Sequence, residues 1–137
     1  MDPLIPLFVK NEQDESFDLE REIYQLAEVV GWNNLLKEVF LVLARPVRRD
    51  FWHQAASVLY WAVSDHIPLP FPFEECAARL YRSLELHPGL GRVGLDDGEN
   101  LVWSILAKMK GVPYESRWNP LDEPKVAQRL QQLQEDG

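Results

Sequence analysis

The fold is decided by a stretch that reads VRRDFWHQAASVLYWAVSD and spans residues 47–65. With successive residues turned by 100°, its apolar side chains fall within one broad sector, the pattern of an amphipathic helix. These core-facing residues are Phe51, Trp52, Ala55, Ala56, Val58, Leu59, Ala62 and Val63. Pro46 directly precedes the stretch and suits the first turn of a helix. We therefore expect a long central helix at about residues 47–65.

Shorter stripes of the same period predict further helices on both sides of the central one. They lie at about residues 16–30, 33–44, 73–86, 98–110 and 122–137, the last being a terminal amphipathic helix. Candidate N-caps are Ser16, Asn33 and Asp122, and Gly31 is a natural terminator. The apolar run at 39–43 also permits a buried strand.

The segments between these stripes complete the prediction of the fold. Residues 1–15 are acidic and include a short apolar stretch interrupted by Pro6, so we expect an extended acidic arm there, with an edge strand at residues 4–10 as the alternative. Alternating prolines at 68–72 require an extended connector, because proline has no backbone N–H to donate. The sequence therefore predicts an all-α fold: one domain, residues 1–137, with about six helices in a compact bundle around the helix at 47–65.

Length and composition set the broad class of the protein. A chain of 137 residues that is 46% hydrophobic and 26% charged is typical of one soluble globular domain. Cys76 is the only cysteine, which excludes an internal disulfide and a Cys-rich zinc site. No apolar run approaches the roughly 20 residues that cross a bilayer, and the first six residues lack the basic segment of a secretory signal. We therefore expect a cytoplasmic protein that is not associated with a membrane.

Charge is the most informative part of the composition, because it is unevenly distributed. The chain carries 22 acidic and 14 basic side chains, a net charge of −8. Residues 1–40 hold nine acids and three bases, a net charge of −6. Such a field opposes direct binding of nucleic acid, whose affinity depends on phosphate neutralisation, and it attracts a basic protein surface. The simpler interpretation is that the acids only keep a small domain soluble.

The sequence offers no catalytic, metal or cofactor motif that stands above chance. Asp50, His53 and Ser57 share one side of the central helix, but such triads are recognised by their geometry across a fold. The acids and histidines near Cys76 do not have the spacing of a known metal motif. We therefore predict no catalytic residues, no metal site and no cofactor, and a protein that is not an enzyme.

The central helix also carries side chains that interfaces favour. Tyr60 and Trp61 fall outside its core sector, and Arg49 and His53 lie on the stripe next to it. Arg, Tyr and Trp are enriched at interface hot spots. In the alternative interpretation, the N-terminal arm or the proline-rich connector covers these rings. Together with the acidic segment, they give the candidate partner-binding residues, which are Glu12, Asp14, Glu15, Asp18, Glu20, Glu22, Arg49, His53, Tyr60 and Trp61.

These observations predict a small acidic protein-binding factor, an inhibitor or immunity-type protein that occupies the basic surface of a nucleic-acid-handling protein. Anti-CRISPR proteins and nuclease immunity proteins are small acidic factors of this general kind. The analogy is one of class alone, because no motif identifies either family. The alternative is a structural or adaptor subunit, or a homodimer that uses the side of Tyr60 and Trp61. A DNA-binding helix-turn-helix is a further alternative, since Arg45, Arg48 and Arg49 cluster at a turn between helices.

Overall fold

The computed structural model describes residues 4–45, 49–87, 97–113 and 116–136, and for residues 49, 50, 97 and 98 it describes the backbone alone. In these ranges the chain forms α-helices and one short 3-10 helix at Pro120–Asp122, and no strand. The α-helices are α1 (Leu4–Gln13), α2 (Leu19–Val30), α3 (Trp32–Leu43), α4 (Arg49–Ser64), α5 (Phe73–Leu86), α6 (Asp97–Lys110) and α7 (Pro124–Asp136). The predicted all-α fold is confirmed, and the strand alternative for 39–43 is excluded because α3 is helical throughout.

The prediction of an extended arm at 1–15 is wrong for most of that segment, because Leu4–Gln13 is helical. Pro6 lies in the first turn of α1, where a backbone N–H has no helical acceptor and proline is tolerated. Leu4 and Phe8 are one turn apart and fully buried, and the Phe8 ring lies 6.2 Å from that of Phe51 on α4. The described chain therefore has seven α-helices instead of about six.

Helices α2 and α3 form a hairpin whose ends differ from the predicted caps. Asp18, and not Ser16, is the N-cap of α2, and its carboxylate accepts a hydrogen bond from the Arg21 backbone N–H at 3.1 Å. Gly31 terminates α2 as predicted and also stands in the N-cap position of α3, where Asn33 was expected. Its φ of 88° and ψ of 140° lie in a region open essentially only to glycine, so one residue reverses the chain.

Helix α4 is the central helix, and it packs against α1, α3 and α6. It runs from Arg49 to Ser64, and the predicted start at 46–48 lies outside the described residues. All eight predicted core residues are buried. The helix ends in a Schellman motif: Ile67 N–H donates to the Ala62 carbonyl at 2.9 Å and His66 N–H to the Val63 carbonyl at 3.2 Å.

The C-terminal half of the chain closes the bundle. Helix α5 has the predicted bounds, whereas most of the loop predicted at 87–98 lies outside the described residues. Asp122 does not cap the last helix; it ends the 3-10 helix, whose N-cap is Asn119. Helix α7 lies on α5, where the Arg129 guanidinium donates to both carboxylate oxygens of Glu75, at 2.5 and 3.2 Å. Within the described ranges, no helix is both long and apolar enough to cross a bilayer.

Candidate protein-binding groove

An open groove of about 580 Å³ lies between α4 and the turn that joins α1 to α2. Residues 15–20 and Asn11 form one wall. The other wall is a face of α4, formed by His53, Gln54, Ser57 and Trp61. We call this feature the acidic groove. Its volume lies within the range of ligand-binding clefts.

The α4 wall follows from helical periodicity. His53, Ser57 and Trp61 are spaced by four residues and therefore lie on one side of the helix. The Ser57 hydroxyl donates to the His53 main-chain carbonyl at 2.8 Å, and the His53 ring stands edge-to-face with Trp52 at 5.3 Å. Ser57 thus uses its hydroxyl within the helix.

Local hydrogen bonds hold the opposite wall in shape. One carboxylate oxygen of Asp14 accepts from the Ser16 hydroxyl at 2.7 Å and from the Ser16 backbone N–H at 3.0 Å. These two bonds hold the pKa of Asp14 below its usual value. Asp18 caps α2. Both side chains therefore stabilise the turn that presents Glu15 and Glu20.

A side-chain clamp fixes the distance between the two walls. Asn11 on α1 donates from Nδ2 to Oε1 of Gln54 on α4 at 3.0 Å. The Nε2 of Gln54 donates in turn to the Phe8 carbonyl at 3.4 Å. Because the amide oxygen and the amide nitrogen of Gln54 are both engaged in hydrogen bonds, we expect the groove to be formed before any partner binds.

Two acidic side chains of the acidic groove have no basic partner among the described residues. Glu15 and Glu20 are exposed and have no ion-pair or hydrogen-bond partner in the described part of the chain. No lysine or arginine is among the described side chains that line the groove. By contrast, Glu75, Glu85 and Glu123 each pair with a basic side chain. In the part of the chain that the structure describes, Glu15 and Glu20 are thus acids without a cation of their own.

Trp61 is the aromatic member of the acidic groove, and its indole is half-buried. The N–H groups of Trp52, Trp103 and Trp118 donate to Ser83, Trp118 and Glu123. For Trp61 the described residues supply no such acceptor. No buried side-chain nitrogen or oxygen among them lacks a partner, so the Trp61 N–H is open to solvent.

The structure brings together five of the ten predicted partner-binding residues. These are Glu15, Asp18, Glu20, His53 and Trp61.

Four of the other five predicted residues are not among the described side chains that line the groove, and the side chain of the fifth, Arg49, is not described. Glu12 is exposed on α1, Asp14 shapes the turn, and Glu22 lies 3.7 Å from the Arg21 guanidinium. Tyr60 points toward α6, where the Lys108 ammonium lies 5.2 Å from its ring centre. The side chain of Arg49, like those of Arg48 and Asp50, lies outside the described residues.

Sequence reasoning missed several lining residues. Gln54 and Ser57 could have been recognised from the sequence, because each lies about one turn or less from His53 on the polar side of α4. Asn11 and Phe17 carried none, since they reach the groove only through the docking of α1 and the following turn on α4.

Two other cavities offer less chemistry. A cavity of about 350 Å³ is lined in part by Arg79 and Arg82, but these guanidiniums already pair with Glu75 and Glu85. A cavity of about 250 Å³ is lined by His66 and Lys108 together with five apolar residues, and it holds no acidic side chain among the residues described. Among the residues described, no cluster of three or more histidine, cysteine or acidic side chains is placed to hold a metal ion.

Comparison with known proteins adds nothing to this geometry. No family model, curated protein or solved structure matches the chain.

Proposed function

We propose that this chain is a small cytoplasmic protein-binding factor, without enzymatic activity, that uses the acidic groove to bind a basic partner. The partner class is a nucleic-acid-handling protein whose positive surface the acidic segment occupies, so the factor acts as an inhibitor or immunity-type protein. The observation that carries the proposal is the unpaired state of Glu15 and Glu20 beside the open indole of Trp61.

Electrostatics supports a basic partner. Acidic side chains without an internal cation give a negative potential that speeds encounter with a positive surface and selects against negative ones. The same potential opposes direct binding of nucleic acid. The hydrogen-bonded turn, the α4 wall and the contacts of Gln54 hold the groove in shape and so reduce the entropy that would be lost on binding.

The test is capture of partners by the tagged full-length protein from a lysate of its own host, at two salt concentrations, with identification by mass spectrometry. The decisive variant is Glu15→Gln/Glu20→Gln, which changes the net charge from −8 to −6. The matched control, Glu28→Gln/Asp122→Asn, makes the same change in net charge at exposed acids outside the groove.

We expect a basic, nucleic-acid-handling protein that is captured at low salt and released at high salt. Affinity should fall roughly tenfold in the groove variant, a loss of about 1.4 kcal/mol, and hardly at all in the control. If both variants lost the same amount of affinity, the effect would be one of net charge alone, and the acidic groove would not be the binding site.

The alternative, a homodimer through the Tyr60 and Trp61 side, predicts a different result. Sedimentation would then show a dimer that Trp61→Ala converts to monomer. A monomer at all concentrations would exclude the homodimer.

A further inference from the structure

We propose that the acidic groove receives an arginine side chain of a peptide segment, whose guanidinium meets the Trp61 ring and the carboxylates of Glu15 and Glu20. This inference rests on the proposed function and specifies the chemistry of the contact. It requires a groove that offers an aromatic surface, negative charge and an unused hydrogen-bond donor.

The protein itself contains a completed version of this arrangement. The Arg79 guanidinium lies 4.2 Å from the centre of the Phe71 ring and pairs with Glu75 at 2.6 Å. An aromatic ring and a carboxylate thus share one guanidinium. The acidic groove supplies the same two partners without the cation.

Other aromatic rings of the chain also have cations near them. Lys110 lies 4.6 Å from the Phe73 ring centre and Lys10 lies 5.4 Å from that of Phe17. Trp61 has the side chain that binds cations best, yet the described residues place no cation over it. A cation from outside the chain would fill that position.

Arginine fits the groove better than lysine does. A guanidinium is planar, stacks on aromatic faces, and offers five N–H donors that can serve two carboxylates together. An ammonium is a compact and more strongly hydrated charge, so it gives up more hydration than a guanidinium does on contact with the Trp61 ring.

A peptide fits better than free arginine. The solvent-accessible Trp61 N–H has no acceptor among the described residues, and the amide of Gln54 is already engaged with Asn11 and Phe8. A main-chain carbonyl of the bound segment would accept this hydrogen bond. An amide carbonyl is neutral, so it is not repelled by Glu15 and Glu20 as the carboxylate of free arginine would be.

The experiment is an NMR titration of the five tryptophan indole N–H signals in the ¹⁵N-labelled full-length protein. Trp61→Phe assigns the Trp61 signal by its disappearance. The ligands are a capped pentapeptide with arginine between glycines, its lysine and citrulline counterparts, and free arginine. The other four indole signals report any general change in the fold.

We expect the arginine peptide to shift the Trp61 signal with saturation, while the other indole signals stay in place. The lysine peptide should bind several-fold more weakly, and citrulline, which has the shape of arginine without its charge, should not bind. Glu15→Gln/Glu20→Gln should weaken arginine-peptide binding by about tenfold, and Glu28→Gln/Asp122→Asn should leave it unchanged.

Several results would overturn the inference. They are an immobile Trp61 signal at saturating arginine peptide, equal binding of citrulline, and equal or tighter binding of free arginine. Failure here is distinguishable from failure of the proposed function. If a salt-sensitive basic partner is captured but the arginine peptide does not bind, only the arginine contact is refuted. If the peptide binds but no partner is captured, only the inhibitor function is refuted.

Discussion

The hydrogen bond between Trp52 and Ser83 is the contact whose loss we expect to matter most for the helix that carries Trp61. The Trp52 indole is fully buried on α4, and its N–H donates to the Ser83 hydroxyl of α5 at 3.0 Å. Ser83 is 1% exposed, and its hydroxyl donates to the Leu80 carbonyl at 2.6 Å. One hydroxyl therefore accepts from α4 while it donates within α5.

Ser83→Ala removes the acceptor and leaves a fully buried N–H without a partner. An orphaned buried donor costs about 1–3 kcal/mol, so we expect the free energy of unfolding to fall by about 2 kcal/mol. For a chain of this length, that lowers Tm by roughly 6–10 °C. Trp52→Phe removes the donor. In that background Ser83→Ala leaves no buried N–H without a partner, so it should lower the free energy of unfolding by less than about 0.5 kcal/mol. The coupling free energy is then about 1.5 kcal/mol.

The assay is urea unfolding followed by far-UV circular dichroism, with the midpoint and the slope m compared across the four proteins of the cycle. Ser57→Ala is the matched control, because its hydroxyl also donates to a carbonyl of its own helix but accepts from no indole; we expect a change within about 0.5 kcal/mol. Equal effects of the two serine substitutions, or an undiminished cost of Ser83→Ala in the Trp52→Phe background, would refute the reasoning.

Three further predictions concern helix ends, the buried thiol and the attachment of α7. His66 and Gly111 occupy equivalent left-handed positions, with φ of 61° and 72°. A residue with a side chain in this conformation destabilises the fold by about 1 kcal/mol relative to glycine. Urea unfolding should therefore show that His66→Gly raises the free energy of unfolding and that Gly111→Ala lowers it, each by about that amount. Two changes in the same direction would contradict this prediction. Burial raises the pKa of the Cys76 thiol to about 12. An aromatic disulfide reagent at pH 8 should therefore label this thiol in denaturant but not in the native protein. Rapid labelling of the native protein would contradict this prediction and would show that the structure around Cys76 opens. Burial raises the pKa of Glu75, but hydrogen bonds from Arg129 and a second arginine outweigh it and hold that pKa below its usual value. The ion pair of Glu75 and Arg129 therefore contributes its full stability above the pKa of Glu75 in the unfolded chain, about 4.3. This stability is lost as the pH falls through the lower pKa of Glu75 in the folded protein. Hydrogen-exchange protection of α7 should thus drop below about pH 4 in the wild type and be lower but independent of pH in Glu75→Gln.

Much of the fold could be predicted because its signals are local. The α5 stripe and its flanking proline gave both ends of that helix, and Gly31 marked the end of α2. Pro6 misled the prediction at the N-terminus, since a proline in the first turn of a helix looks the same in sequence as one that breaks it. The spacing of Leu4 and Phe8, both fully buried, was the signal in favour of a helix.

The groove could be predicted only in part, because it depends on a contact between distant parts of the chain. Glu15, Glu20 and Trp61 were recognised as candidate residues from charge and from the polar side of α4. Their approach depends on the bond between Asn11 and Gln54, which are 43 residues apart. No periodicity in either segment specifies that pairing.

The structure also separates acidic residues that the composition treats alike. Glu75 and Glu123 have cations within 3.2 Å and hold helices together, so their charge is used in the fold. Glu15 and Glu20 have none among the described residues; because Glu20 lies in the first turn of α2, where the helix dipole favours an acid, neutralising both should lower the free energy of unfolding by no more than about 1 kcal/mol. In the proposed function these two charges serve a partner, so the net charge of −8 becomes informative only when each acid has been traced to its contacts.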